Sequence, residues 1–258
     1  MAMRDELVRI HVRDGELAGT LIAPAPRVPG VLLIHGWGGN RRQFLQRARE
    51  IAPLRCVCLT FDLTGHAATR TQRETVTRAD NLADVLAAYD FLVAHPLVDP
   101  AAIAVVGSSY GGYLATILTE CRAVAWLGLR APALYKDTDW NEPKHDLRRL
   151  QDLVQYRGLP MAADANRALR ACAAFRGDVL LVESACDEVI PAPVLASYRQ
   201  ACVGARSLTY RVIADADHAL SDAGSRDAYG SILVHWLEEM MLGARGHVRS
   251  RTGPTPAP

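Results

Sequence analysis

A run of apolar residues that ends in Gly-Ser-Ser-Tyr-Gly constrains this chain more than any other stretch. Residues 102–106 are small or β-branched and apolar, as in a buried strand. In residues 113–118, after the glycines, the apolar residues are spaced as in a helix. Gly107 and Gly111 lie two residues before and two residues after Ser109, which is the G-x-S-x-G pattern of a sharp strand-to-helix turn, here called the elbow. We therefore predict that Ser109 lies in a strained turn with its hydroxyl group exposed. The alternative is an ordinary buried strand followed by a glycine-rich turn.

Strands and helices alternate along the rest of the chain. This pattern predicts an α/β fold with a mostly parallel sheet of about eight strands and helices on both faces. The opening residues alternate between polar and apolar types on both sides of Asp14 and Gly15, which predicts an antiparallel hairpin at the sheet edge. Later strands are predicted at 31–34, 56–61, 102–106, 123–129, 179–183 and 208–213, and helices at 42–51, 78–94, 146–156, 164–174, 193–202 and 228–241.

The pattern favours a single domain over residues 1–242. Residues 131–158 lack a strand signal and are predicted to form a small cap insert. Their apolar side chains either line a substrate pocket or simply pack a surface helix on the domain: Leu134, Tyr135, Trp140, Leu150, Leu153, Val154 and Tyr156. Residues 243–258 have no periodic apolar face and are predicted to be a disordered tail.

Composition excludes several classes of partner. The 29 Lys and Arg residues nearly balance the 28 Asp and Glu residues, so nothing indicates binding to nucleic acid or an anionic membrane. No signal peptide or membrane-spanning run is present in the sequence, and we expect a cytoplasmic protein with no stable membrane insertion. The six cysteines lack the spacing of a zinc site, so we expect buried reduced thiols, no metal and no cofactor. Whether the protein is a monomer or a homodimer stays open.

A serine nucleophile needs a histidine base and a carboxylate that orients the histidine. In this architecture both partners follow later strands, in the order Ser, Asp or Glu, His. Asp187 follows the strand at 179–183, and His218 follows the strand at 208–213. We therefore predict that Ser109, His218 and Asp187 form a catalytic triad.

Other acids and histidines compete for these roles. Asp178 precedes its strand and Glu183 lies within it, whereas Glu188 is the immediate neighbour of Asp187. The histidine alternatives occupy less suitable places, namely the loop before the elbow strand, the insert and the closing helix: His95, His145 and His235. Asp187 and His218 could also be an ordinary capping aspartate and a solvated loop histidine.

Stabilising an oxyanion requires two backbone N–H groups, one of them from the residue after the nucleophile. Tyr110 is the candidate for the first. The second is predicted to come from Trp37, in the loop that contains Gly36, Gly38 and Gly39. This loop matches neither common phosphate-binding glycine pattern, and His35 before it is predicted to brace the loop.

Together, these motifs resemble those of the α/β-hydrolase superfamily over nearly the whole chain. The Gly-Ser-Ser-Tyr-Gly-Gly-Tyr segment is similar to prolyl-oligopeptidase-type and dienelactone-hydrolase-like members, and His-Gly-Trp-Gly-Gly-Asn is similar to feruloyl-esterase-like enzymes. Three features depart from these patterns. The usual Gly-His-Gly-x-Ser reads Gly-His-Ala-Ala-Thr at 65–69, no propeller domain is present, and Ser109 stands where the dienelactone type commonly has cysteine.

The residues and the resemblance together predict a cofactor-independent serine hydrolase acting on a small-molecule carboxylic ester. The same triad would also serve the hydrolysis of small peptides, amides, thioesters or C–C bonds. A non-catalytic ligand-binding member of the fold is the alternative of another class.

Overall fold

Two sheets form in the computed structural model of the chain. The structure describes the backbone of residues 3–12, 15–24 and 27–251, and the side chains of residues 27–243. Six strands form one parallel sheet in the order β4-β3-β5-β6-β7-β8, and β1 and β2 pair with each other in a second sheet. The strands are β1 (Met3–Val12), β2 (Gly15–Pro24), β3 (Val28–Ile34), β4 (Val57–Thr60), β5 (Val98–Ser108), β6 (Trp126–Arg130), β7 (Asp178–Ser184) and β8 (Ser207–Ile213).

The predicted α/β class and the parallel sheet are confirmed, but the single sheet of about eight strands is divided in two. The opening hairpin does not extend the edge of the main sheet among the described residues. β1 and β2 pair along their whole length, from Met3 opposite Pro24 to Val12 opposite Gly15. The two strands therefore satisfy each other's backbone hydrogen bonds on one side. Asp14, predicted to form the turn, lies outside the described residues.

Both faces of the main sheet are covered by helices. Alternate residues of β3 enter opposite cores: Leu32 and Ile34 face one, Val31 and Leu33 the other. The first core also contains residues of α2, α3, α6 and α7, whereas the second contains residues of α1 and α8. The helices are α1 (Arg41–Ile51), α2 (Arg78–Val93), α3 (Tyr110–Cys121), α4 (Leu147–Leu150), α5 (Leu153–Tyr156), α6 (Arg167–Ala174), α7 (Ala192–Ala201) and α8 (Ala223–Arg251).

The strand order creates a crevice at the carboxyl ends of β3 and β5. The chain leaves β3 towards β4 on one side, and β5 then returns to the other side of β3. Connections after β3 and β5 therefore diverge, and ligands of open α/β sheets bind at such switch points. The loop at 35–39 follows β3 and Ser109 follows β5, so both lie at this crevice.

The insert and the tail differ from their predictions. The helix expected at 146–156 is two short helices, α4 and α5, because Asp152 between them takes a left-handed conformation with φ of 43°. Leu150 and Val154 are exposed, whereas Leu134 is fully buried. The closing helix α8 continues to Arg251, so residues 243–251 are helical in the structure, and 252–258 lie outside the described residues.

Within the part of the chain that the structure describes, no helix has the length and apolarity needed to cross a bilayer.

The six cysteines form no disulfide bond, but only Cys172 and Cys202 are buried as expected. Cys186 is exposed because it lies in the loop after β7, and the other three cysteines are half-buried.

Candidate active site

Ser109 occupies a strained turn between β5 and α3. Its backbone has φ of 53° and ψ of −117°, a conformation that residues with a side chain rarely adopt. The positions of Gly107 and Gly111 have no room for a side chain. A Cβ atom on Gly107 would lie 2.3 Å from the carbonyl oxygen of Gly111, and one on Gly111 would lie 2.3 Å from that of Ile34. The Ser109 N–H group donates to the Arg130 carbonyl at 2.9 Å, which ties the turn to β6.

A continuous hydrogen-bond chain runs from Ser109 to a buried carboxylate. The Ser109 Oγ atom lies 3.0 Å from Nε2 of His218, and Nδ1 of His218 lies 2.7 Å from Oδ2 of Asp187. Because Asp187 can only accept, Nδ1 of His218 donates and Nε2 is left to accept from the serine hydroxyl. The structure thus brings together three residues that are far apart in sequence.

The other oxygen of Asp187 is held by the backbone of its own loop. Oδ1 accepts the N–H groups of Val189 and Ile190, each at 2.8 Å. Burial by itself would raise the pKa of Asp187, but the hydrogen bonds from His218 and from these two N–H groups outweigh it and lower the pKa. The carboxylate is therefore ionised at neutral pH and fixes the orientation of the imidazole.

The competing acids make other contacts. Asp178 lies at the start of β7 and forms an ion pair with Arg206. Glu183 accepts the hydroxyl group of Tyr210 on β8, and Glu188 is exposed beside the cleft.

The competing histidines make contacts other than a hydrogen bond to Ser109 Oγ. The Nδ1 atom of His95 accepts the N–H group of Leu97, and His235 on α8 donates to the carbonyl of Ser231. His145 lies 3.2 Å from Glu74, although its side chain also lines the cleft.

The glycine loop after β3 lies against the nucleophile. A Cβ atom on Gly36 would be 3.2 Å from Ser109 Cβ and 3.9 Å from its Oγ, so the loop backbone passes next to the serine. Gly38 has φ of 85°, which explains a glycine there. Neither the N–H group of Trp37 nor that of Tyr110 has an acceptor among the described residues. Both groups are thus available to bind a negatively charged oxygen.

Two buried histidines hold this loop. His35 donates from Nδ1 to the Gly36 carbonyl at 2.8 Å and accepts the Leu63 N–H group on Nε2 at 3.1 Å. His66 accepts the Gly38 N–H group on Nε2 at 3.0 Å and donates from Nδ1 to the Thr64 carbonyl.

Burial lowers the pKa of both of these histidines, that of His66 to about 4. Both rings are therefore neutral at pH 7. His35 contacts the loop as predicted, whereas the role of His66 was not predicted from the sequence.

Arg130 is a second residue that sequence reasoning missed. It is buried at the end of β6, and its guanidinium donates to Ser108 Oγ at 2.8 Å, to Ser184 Oγ at 3.3 Å and to the His218 carbonyl at 2.8 Å. It therefore connects the ends of β5 and β7 to the loop after β8 that contains His218, here called the histidine loop. An arginine directly after the apolar residues of a buried strand was the available signal.

The insert forms one wall of a cleft of about 630 Å³ beside Ser109 and His218. Of the apolar residues singled out there, Tyr135, Leu153 and Val154 line the cleft and the other four do not. Basic side chains interspersed among them also reach it: Lys144, Arg148 and Arg157. Within residues 27–243 no group of three or more His, Cys, Asp or Glu side chains could hold a metal ion.

Comparison with known proteins agrees with this arrangement. The family model described as the alpha/beta hydrolase family matches residues 31–229, which include the glycine loop, the elbow and the histidine loop. The chain belongs to the alpha/beta hydrolase family. No curated protein sequence matches it significantly.

Several solved structures share this alpha/beta hydrolase fold. A lipolytic enzyme from a metagenome has a TM-score of 0.63 at 18% identity over 83% of this chain and 94% of its own. An esterase of Pyrococcus furiosus has a TM-score of 0.62 at 16% identity, with 93% and 92% covered. A dienelactone hydrolase from Anabaena variabilis has a TM-score of 0.56 at 19% identity, with 92% and 98% covered. At these identities the likeness concerns the fold alone.

Proposed function

We propose that this protein is a serine hydrolase that cleaves carboxylic esters through an acyl-enzyme intermediate. The observation that carries the proposal is the hydrogen-bond chain from Ser109 through His218 to the buried carboxylate of Asp187. The strained turn, the loop beside it and the cleft that reaches Ser109 support the same function. Membership in a hydrolase family, together with esterases among its structural neighbours, is consistent with it.

The first half of the reaction forms the acyl-enzyme. Ser109 Oγ attacks the acyl carbon while Nε2 of His218 takes the hydroxyl proton, and Asp187 stabilises the resulting imidazolium. The carbonyl oxygen becomes an oxyanion that accepts the N–H groups of Trp37 and Tyr110. The bond from the acyl carbon to the leaving oxygen then breaks, and Nε2 returns its proton to the departing alcohol.

The second half releases the acid. A water molecule gives its proton to Nε2 of His218 and attacks the acyl carbon, forming a second oxyanion at the same two N–H groups. When that intermediate collapses, Ser109 leaves as the hydroxyl after recovering the proton from His218. Each residue returns to its starting state.

A fluorophosphonate probe and 4-nitrophenyl esters test this proposal. Wild-type protein should be labelled and should release 4-nitrophenol, whereas Ser109→Ala should do neither. His218→Ala and Asp187→Asn should lower kcat on the order of 10³-fold or more. Ser231→Ala, at an exposed position on α8, is the matched serine control and should behave as wild type.

Three results would contradict the proposal. Labelling that persists in Ser109→Ala would identify another nucleophile. Turnover of amides or thioesters without turnover of esters would place the protein in another class of hydrolase. Absence of both labelling and turnover would favour a non-catalytic binding protein.

A further inference from the structure

The cleft beside Ser109 is lined by more positive than negative charge. Among its lining side chains are Lys144, Arg148 and Arg157, whereas Glu188 is the one carboxylate of that lining. None of the ion pairs formed within residues 27–243 includes any of the three cations. Their charges are therefore available to a ligand in the cleft.

Lys144 is a buried cation that lies against Trp37 of the glycine loop. Only 6% of the residue is exposed, and its Nζ atom lies 4.6 Å from the ring centroid of Trp37. The rings of Tyr110 and Tyr135 are each 4.8 Å away. Aromatic faces stabilise an ammonium group only partly, so burial without a carboxylate is unfavourable for the charged form. Burial accordingly lowers the pKa of Lys144.

Arg157 is a second buried cation on the same wall. The residue is 8% exposed, and its Nε atom donates to the Leu134 carbonyl at 2.9 Å. Its Nη2 atom is buried and has no acceptor among the described residues. A buried donor of this kind costs stability when it stays unpaired. Arg157 also lines the cleft, so its charge acts on a ligand there.

Tyr135 lies between these two cations. Its ring centroid is 4.9 Å from the guanidinium carbon of Arg157, and it also lines the cleft. Burial by itself would raise the pKa of this phenol, but the charges of Lys144 and Arg157 outweigh burial and lower it. Even an ionised Tyr135 would balance only one of the two cations, so positive charge is left for a ligand.

We propose that this cleft selects esters that carry a second, ionised carboxylate, which Lys144 and Arg157 bind while the exposed Arg148 attracts it at the rim. This inference rests on the proposed ester hydrolysis and names its substrate class. A carboxylate suits the site because its two oxygens pair with a guanidinium and an ammonium group together. Apolar residues such as Leu153 and Ile190 also line the cleft and accommodate the carbon chain between the two carboxyl groups.

A pair of esters of equal chain length tests the inference without any substitution. 4-Nitrophenyl hydrogen glutarate carries a terminal carboxylate where 4-nitrophenyl valerate carries a methyl group. Charge-assisted hydrogen bonds predict that kcat/KM for the glutarate ester exceeds that for the valerate ester by about 10- to 100-fold. Turnover of valerate with no preference for glutarate would overturn the inference and leave the proposed function standing. Failure of both esters, with no labelling of Ser109, would overturn both.

Substitutions of Lys144 test whether its charge causes the preference for the glutarate ester. Lys144→Met keeps the apolar stem and should bring the ratio of the two kcat/KM values towards one, whereas Lys144→Arg should retain most of the preference. An equal fall for both esters in Lys144→Met would contradict the inference, because it would mean that Lys144 supports the reaction or the fold in general.

Neighbouring exposed arginines on α4 supply a test in which folding is not at risk. Arg148 lines the cleft, whereas Arg149 does not and pairs with Asp146 instead. Arg148→Gln should lower the glutarate preference about 2- to 5-fold and weaken its dependence on salt, as expected for a charge at the rim. Arg149→Gln should leave the preference unchanged. An equal effect of the two substitutions would count against a site in the cleft.

Discussion

At the scale of single residues, the feature that most distinguishes this site is the buried guanidinium of Arg130. Burial lowers its pKa, while Tyr229 and the carboxylates of Asp187 and Asp217 act in the opposite direction. A buried arginine costs free energy unless its donors are paired, and here all three nitrogen atoms donate, one of them to the His218 carbonyl. We interpret Arg130 as a residue that positions the histidine loop relative to the elbow.

Replacing Arg130 by lysine should therefore impair catalysis more than binding. Lysine keeps the charge but cannot reach three acceptors with a planar fork, so we expect kcat to fall about 10-fold or more with little change in KM. Arg122→Lys, at an exposed ion pair with Asp90, is the matched control and should leave kcat within error of wild type. A rise in KM with unchanged kcat in Arg130→Lys would argue against a positioning role.

At the scale of elements, the turn between β5 and α3 depends on two glycines that touch backbone rather than side chains. Backbone atoms cannot move aside as a flexible side chain does, so a methyl group at Gly107 must displace α3 from β5. The conformation of the turn therefore depends on the close packing of α3 against β5.

Gly107→Ala should lower the free energy of unfolding by about 3 kcal/mol or more, or prevent folding altogether. Gly243→Ala is the matched control, because a Cβ atom there meets nothing within 4 Å. In α8 that change should be neutral or stabilise by up to about 1 kcal/mol. Urea denaturation followed by circular dichroism measures both. Equal stability of the two variants would show that the turn can relax.

In the insert, the helical periodicity of the sequence does not predict how the residues pack in the structure. Its helical periodicity is real but short, and Asp152 interrupts it where the Asp152 side chain caps α5. Exposed Val154 and half-buried Tyr156 belong to the same short helix, so which apolar residue faces the cleft depends on how α5 sits on the domain.

At the scale of the whole molecule, the buried neutral histidines link stability to pH. The pKa of His66 falls from 6.5 to about 4 on folding, so below pH 6.5 the unfolded chain binds protons that the folded chain does not. The contribution of neutral His66 to the free energy of unfolding is therefore fully present above pH 6.5 and is lost as the pH falls towards 4. For His66 alone the loss over this range is about 3 kcal/mol. His35, whose pKa burial also lowers, adds to it in the same direction.

His66→Gln tests this link, since a glutamine oxygen can accept the Gly38 N–H group without titrating. We expect the difference in unfolding free energy between pH 7 and pH 4.5 to shrink by about 2 to 3 kcal/mol in this variant. His235→Gln, on the exposed face of α8, should keep the wild-type difference. An unchanged pH dependence in His66→Gln would show that His66 is not protected from protonation.

Much of this architecture follows from local pattern. Gly107 and Gly111 around Ser109, after an apolar run, predict the turn because steric exclusion operates between residues close in sequence. The order of Asp187 and His218 after their strands predicts that they meet Ser109, since parallel strands end at the same edge of the sheet. The α/β class follows in the same way from alternating periodicities.

Burial and contacts between residues distant in sequence could not be predicted from local pattern. Nothing in the local sequence shows that Lys144 and Arg157 are buried without carboxylate partners, or that Arg130 reaches the His218 loop. Nor does the hairpin pattern reveal that β1 and β2 pair with each other instead of extending the main sheet. Periodicity reports which face of an element is apolar, whereas the charge in a cleft is set by residues from several elements that only folding brings together.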